Sequence, residues 1–334
     1  MDTSEPRSDD VVRPLRVELL PAPGAPPAPS PPRYALSFLL FALSFFTTTT
    51  LGAGWYLFTR TDVSTDLLPW LTPAVVARVW TDPALLGVGL RFSLPVLFIL
   101  LCHELGHYAA CRRYRLPATL PYFLPAPFGF GTLGAFIRIR APIRDRRELF
   151  DVGFAGPLAG FVALLPFLVY GLAHSRPAVV RLATGPGDYA ADLLVPGKNL
   201  LIAALVRYFH GSLPHGTVLD LHPFALAAWI GLLATALNLL PLGQLDGGHI
   251  LYSATGHLQR RLALPLWAGL ALVGFYWTGW LVWCVIVLVM GLRHPPVRDE
   301  ATPLDPLRRA VALLALLMFA LCFMPVPLSI VPVG

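Results

Sequence analysis

The sequence predicts an all-α polytopic membrane protein of about six to seven transmembrane helices, with a β-hairpin that re-enters the membrane after the second. Three observations carry this. Hydrophobic residues make up 56% of the 334 and charged residues only 13%, a composition suited to lipid rather than to a soluble domain. Apolar runs recur along the chain, several reaching the roughly 20 residues that a span needs. The arginines cluster between those runs, as they do where membrane proteins fix their orientation. That placement accounts for the net charge of +6 without a nucleic-acid partner, and none is expected.

Residues 1–33 are polar and then proline-rich, from Pro21-Ala22-Pro23 to Pro31-Pro32. They carry too little apolar surface to offset ordering entropy and are expected to form a disordered cytosolic tail. A signal peptide is not expected, because no short apolar core with a small-residue cleavage site follows a basic start. Residues 34–84 hold the first span, Tyr34 to Phe58, with Trp55 and Tyr56 at an aromatic belt, and an outer loop containing Asp62, Asp66 and Asp82.

Residues 85–257 form the expected catalytic membrane core. Its first run, Leu85 to Ala110, contains His103-Glu104-Leu105-Gly106-His107. Pro117 to Ala141 follows, rich in Pro, Gly and aromatics. So many breakers argue against a helix and the apolarity argues against a solvated loop, which leaves an extended hairpin sheltered by protein. The third span, Phe150 to Ala173, carries Gly153, Gly156 and Gly160, a small-residue stripe read as helix packing. Ala178 to Leu221 reads as a mixed loop with an amphipathic surface helix at Leu200 to Phe209. The fourth span, Pro223 to Leu240, ends at Pro241 and leads into Leu242-Gly243-Gln244-Leu245-Asp246-Gly247-Gly248-His249. Residues 258–334 add further transmembrane helices: a short helical hairpin, Leu262 to Tyr276 and Trp280 to Leu292, and a last span beginning over Ala310 to Met324.

Arg112, Arg113, Arg115, Arg138, Arg140, Arg144, Arg146 and Arg147 all fall between the second and third spans, which assigns that connection to the cytosol. Alternating from there puts Arg260 and Arg261, the group Arg293, Arg298, Arg308 and Arg309, and the N-terminal tail on the same side. The expected setting is a multi-pass protein of a bacterial inner membrane with its N-terminus cytosolic. The four cysteines, Cys102, Cys111, Cys284 and Cys322, show no CxxC pairing and lie in or beside apolar segments, so neither a disulfide framework nor a cysteine metal site is supported.

On a helix, the i, i+4 spacing of His103 and His107 puts both imidazoles on one face, about 6 Å apart at the backbone, able to grip one tetrahedral ion. Such an ion polarises a carbonyl and acidifies a water, whose proton Glu104 is placed to accept as the water oxygen attacks a peptide carbonyl. A buried histidine is often only a packed core residue. Here three ionisable groups share an apolar helix, where each costs roughly 2.5 kcal/mol or more unless paired or coordinated, and that cost favours a site. Two histidines leave zinc short of a protein ligand, and a carboxylate is the usual completion. Asp246 is the candidate, at the end of a span on the same membrane side and held between Pro241 and glycines; its local alternative is an ordinary turn aspartate. His249 reads as a helix-end histidine that could support the site from behind the ligands, and His174, His210, His215 and His222 as solvated or structural residues of the outer side.

His103-Glu104-Leu105-Gly106-His107, Phe154-Ala155-Gly156-Pro157-Leu158-Ala159-Gly160, and Asn238-Leu239-Leu240-Pro241-Leu242-Gly243-Gln244-Leu245-Asp246-Gly247-Gly248 together resemble the site-2 protease family of intramembrane metalloproteases, over about Leu85 to His257. The resemblance implies one zinc ion on His103, His107 and Asp246, Glu104 as base, and Asn238 as a catalytic polar group near the substrate or oxyanion. It implies that the hairpin stretch Phe130-Gly131-Thr132-Leu133 binds an unwound substrate segment; a peptide bond inside a helix is shielded by its own hydrogen bonds, and a strand edge can replace them. The expected partners are single-span membrane-protein substrates and the bilayer. Many relatives carry an asparagine in the third span where this chain has Gly160, so no catalytic residue is assigned there, and no connection is long enough for a PDZ domain. Two alternatives are an inactive relative that binds membrane proteins, against which all four motif positions are present, and an ion-coupled transporter, which would require a second copy of the His-Glu region.

Overall fold

The computed structural model describes residues 34–58, 71–179, 191–214 and 216–333. The expected tail, Asp62, Asp66 and His215 lie outside the described residues. Among the described residues three helices are long and apolar enough to cross a membrane: α1 (Tyr34–Phe58), α3 (Pro83–Arg113) and α4 (Arg146–Ala173), with the short α2 (Pro73–Thr81) between the first two. α3 begins at Pro83, ahead of the expected start at Leu85, because a capping residue precedes it. The Asp82 carboxylate accepts from the Ala84 and Leu85 amides, Pro83 occupies the first turn, and Arg112 and Arg113 complement the carbonyl end. α4 starts the same way, with Asp145 accepting from Arg147 and Glu148 N–H at 2.8 Å each.

α6 (Pro223–Asn238) packs against α3 and α4, and Phe92, Leu97, Leu164, Leu168, Trp229 and Leu232 are buried among them. In lipid such contacts are held by close packing rather than by expulsion of water. α3 and α4 approach so tightly that a methyl on Gly106 would stand 2.3 Å from the Ala155 carbonyl oxygen. The chain then turns through 239–245 into α7 (Asp246–Thr255), and α8 (His257–Val273), α9 (Gly279–Met290) and α10 (Pro306–Cys322) follow. The fourth, fifth, sixth and last expected spans therefore correspond to helices of 16, 17, 12 and 17 residues, each shorter than the roughly 20 residues of a full crossing.

The breaker-rich stretch is an antiparallel hairpin, β1 (Tyr122–Pro125) with β2 (Thr132–Phe136), in the register Tyr122↔Phe136 and Phe123↔Ala135. Its ladder extends irregularly through Thr119 N–H to Arg138 O at 3.0 Å and Arg140 N–H to Pro117 O at 2.8 Å. β1 lies along α1, and the Thr47 hydroxyl of α1 donates to the Gly131 carbonyl at 2.6 Å. Trp55 is buried, 8% exposed, with its ring 5.2 Å from Phe130, so it anchors the hairpin tip where an aromatic belt residue was expected.

The connection expected on the outer side holds more order among its described residues than its mixed composition announces. β3 (Arg176–Val179) pairs with β5 (Thr217–Asp220), and β4 (Ala191–Pro196) pairs with β6 (Leu328–Val333), which follows α10. α5 (Leu200–His210) has the expected position and buries Ile202 and Val206. At the opposite end the arginines meet. Arg308 binds Asp151 with two bonds of 2.8 and 2.6 Å, Arg146 Nε donates to Ser253 O at 2.9 Å, and Arg147 Nε to Pro303 O at 3.0 Å. The α9–α10 connection is thereby held against the start of α4, and the Tyr252 hydroxyl near the end of α7 donates to its Glu300 carboxylate at 2.5 Å.

Candidate metal centre

α3 presents His103, Glu104 and His107 from its buried stretch, 6%, 5% and 8% exposed. α7 presents Asp246 from its first turn. What folds Asp246 back is the glycine-rich turn: Gly243 sits at φ 55 with its N–H on Leu292 O at 3.0 Å, and a methyl on Gly247 would lie 2.0 Å from Leu239 O. A side chain at either position would push α7 away from the histidines.

The donor atoms converge. His103 Nε2 and His107 Nε2 are 3.1 Å apart, and each lies 3.3 Å from Asp246 Oδ2. Ligands of a tetrahedral zinc ion at its usual bond lengths stand about 3.3 Å from one another, so this set fits one ion with a direction left open. His107 Nδ1 lies 2.7 Å from the Val152 carbonyl, which can only accept. That bond puts the proton on Nδ1 and leaves the Nε2 lone pair for a metal, the outer support typical of ligating histidines. The stripe Gly153, Gly156 and Gly160, read from sequence as packing, makes room for this set: methyl groups there would stand 2.8 Å from His249 Cβ, 2.1 Å from His107 Nε2 and 3.1 Å from His103 Cβ.

A cavity of about 230 Å³ opens beside the cluster, lined by His103, Glu104 and His107 from α3, Asn238 from α6, Gln244 to Asp246 and His249 around the start of α7, and Ala135, Phe136, Ile137 and Ile139 from the hairpin. Asn238 Nδ2 is 3.3 Å from His103 Nε2. The Ile137 main-chain amide faces the Glu104 carboxylate. The expected hairpin residues divide differently. Phe130 packs between Trp55 and Trp229, Gly131 is buried against α1, the Thr132 hydroxyl bonds Leu124 O at 3.0 Å, and Leu133 is 65% exposed. The hairpin thus reaches the cluster through Ala135 to Ile139, a few residues downstream of 130–133. The sequence reading also gave no place to His294 of the α9–α10 connection, which contacts His249 at 2.8 Å; no local pattern marks it.

The sequence model of peptidase family M50 matches residues 91–275. The chain is 29% identical over 317 residues to the probable zinc metalloprotease EGY1, chloroplastic, of Arabidopsis thaliana, covering 88% of this chain and 53% of that protein. It is 32% identical to the protein of the same name from Oryza sativa subsp. japonica, over 67% of this chain and 38% of that one. To the probable zinc metalloprotease EGY2, chloroplastic, of Arabidopsis thaliana it is 31% identical, over 73% and 43%. The chain thus spans about half or less of the length of these relatives.

Proposed function

The chain belongs to peptidase family M50, the site-2 protease family, and from that premise we propose that it is a zinc-dependent endopeptidase that hydrolyses peptide bonds within the membrane spans of other proteins. The observation that carries the reading is the set of three donor atoms 3.1 to 3.3 Å apart beside the buried carboxylate of Glu104, on a helix apolar enough to cross a membrane. The names of the relatives support zinc as the metal. Those names place the relatives in the chloroplast, which lends nothing to a bacterial inner membrane; the reading is of an integral membrane protein with six to seven helices in the bilayer and its arginine-rich connections in the cytosol.

Bound on His103, His107 and Asp246, zinc supplies a Lewis acid for the peptide carbonyl and for a water. Glu104 accepts the proton of that water as its oxygen bonds to the carbonyl carbon, and returns the proton to the amine nitrogen as the carbon–nitrogen bond breaks. Asn238 offers an amide donor at the rim of the same cavity, toward the oxygen on which charge develops. Because α1 covers β1, the hairpin edge facing the cavity is that of β2 and the residues after it, and we assign it the main chain of an unwound substrate. A single-span membrane protein is the substrate class, entering from the lipid and cut in the cytosolic half of its span.

Glu104→Gln tests this reading. The amide keeps the size of the side chain and leaves both histidines in place, so zinc per chain should stay at the wild-type level while cleavage of a single-span substrate in liposomes falls by about 10²- to 10⁴-fold. A variant that cuts at the wild-type rate would show that Glu104 is not the base.

A further inference from the structure

His249 and His294 form a pair beside the metal cluster that the proposed chemistry leaves unused. His249 lies one turn after Asp246 on α7 and lines the same cavity, with Gly153 of α4 making room for its Cβ. His294 belongs to the α9–α10 connection, outside the family match. Its ring and its backbone are both tied down. Nδ1 lies 2.5 Å from the Pro295 carbonyl, the ring stacks on Tyr252 at 4.4 Å and 20°, and the backbone N–H donates to Gln259 Oε1 at 3.2 Å.

A carbonyl only accepts, so His294 carries its proton on Nδ1. His294 is 5% exposed, and burial, with Arg260 adding to it, holds its imidazole below the usual histidine range against the opposing effect of the Pro295 carbonyl. The ring is therefore neutral and Nε2 is a lone pair. His249 Nδ1, 2.8 Å away, must be the donor to it, and the other nitrogen of a neutral His249 is then an acceptor. Among the described residues no hydrogen-bond partner takes that Nε2.

We propose that His249 Nε2 accepts a main-chain N–H of the substrate segment bound in the cavity, and that His294 is the positioning residue that fixes His249 in the tautomer able to do so. This rests on the peptidase reading. An extended peptide laid along Ala135 to Ile139 turns half of its N–H groups away from that edge, toward α7. In a cavity sheltered from water each such donor needs an acceptor. Asp246 is committed to the metal and Glu104 to proton transfer, and Gln244 stands exposed at the rim, where its amide reaches toward Met290 O. Among the described residues that line the cavity, His249 is the remaining side-chain acceptor that α7 offers.

The test uses the full-length protein in liposomes, a leucine-rich single-span reporter peptide with Gly and Asn in its cytosolic half, and histidine ¹⁵N NMR. The wild type should show Nδ1 protonated and Nε2 bare in both residues. His249→Asn keeps a donor toward His294 but deletes the cavity acceptor; KM should rise about fivefold, the worth of one ordinary hydrogen bond, with zinc per chain unchanged. His294→Leu should scramble the tautomer of His249 and raise KM similarly. His294→Gln, whose Oε1 can stand where Nε2 stood, should restore both, and it keeps the test alive where the leucine variant misfolds. The inference is overturned if His249 carries its proton on Nε2, if His249→Asn cleaves with the wild-type KM, or if zinc is lost in step with activity. A wild-type protein that cuts no single-span substrate overturns the peptidase reading instead, and the acceptor role with it; cleavage by the wild type with an unchanged KM in the variants overturns the inference alone.

Discussion

Replacing Gly156 by alanine should unseat His107. A methyl at this position of α4 would stand 2.1 Å from His107 Nε2 and 2.4 Å from both Cδ2 and Cε1. Non-bonded heavy atoms settle near 3.5 Å, so the ring or the helix must retreat by roughly 1.4 Å. Neither yields easily. The ring is tied through Nδ1 to Val152 O at 2.7 Å, and α3 is already in backbone contact with α4 at Gly106 and Ala155. Metal ligation tolerates displacements of only about 0.2 Å, so His107 should be lost as a ligand and zinc affinity should fall by about 100-fold or more. Helix propensity works the other way, since alanine is favoured over glycine by about 0.5–1 kcal/mol in a helix, so a loss cannot come from the helix itself. Gly160→Ala meets His103 at 3.1 and 3.2 Å, which a shift of a few tenths of an ångström relieves, and Gly87→Ala meets nothing within 4 Å. Zinc per chain and competition with a chelator of known affinity should therefore rank the variants Gly87→Ala, Gly160→Ala, Gly156→Ala in order of increasing loss. Wild-type zinc affinity in Gly156→Ala would refute the assignment of His107 as a ligand in this geometry.

The remaining predictions concern the third ligand and the hairpin. Asp246→Ala should lose zinc as well as cleavage, because it removes one of three converging donors; full zinc occupancy in the variant would reduce Asp246 to a turn residue. Thr47→Val removes the hydroxyl that holds the Gly131 carbonyl at 2.6 Å, a loss of about 1 kcal/mol that should lower cleavage several-fold while leaving zinc in place. Gly131→Ala should be worse, since Gly131 lies at φ 85 and its methyl would meet the Thr48 backbone at 2.5 Å. Mass spectrometry of the products should put the cut in the cytosolic half of the substrate span for the wild type and slow it for both variants; wild-type rates in both would separate the hairpin from substrate binding.

The sequence by itself determined the elements whose information is local. Runs of hydropathy marked α1, α3 and α4, and breakers marked the hairpin. The i, i+4 spacing put His103 and His107 on one face before any fold was known, and the Asn238-to-Gly248 motif brought Asp246 to them by resemblance. Tertiary structure decided what depends on partners distant in the chain. The glycine stripe of α4 is indistinguishable from ordinary packing until His107 is seen 2.1 Å from where a Gly156 methyl would be. The stretch of hairpin that lines the cavity, residues 135–139 rather than 130–133, follows from how α1 grips Gly131. The pairing of β4 with β6 joins short segments more than 130 positions apart, and that of His249 with His294 crosses 45. Periodicity and capping act within a few residues, whereas the partner across such a gap is chosen by the packed helices between them, and that choice leaves no trace in either segment alone.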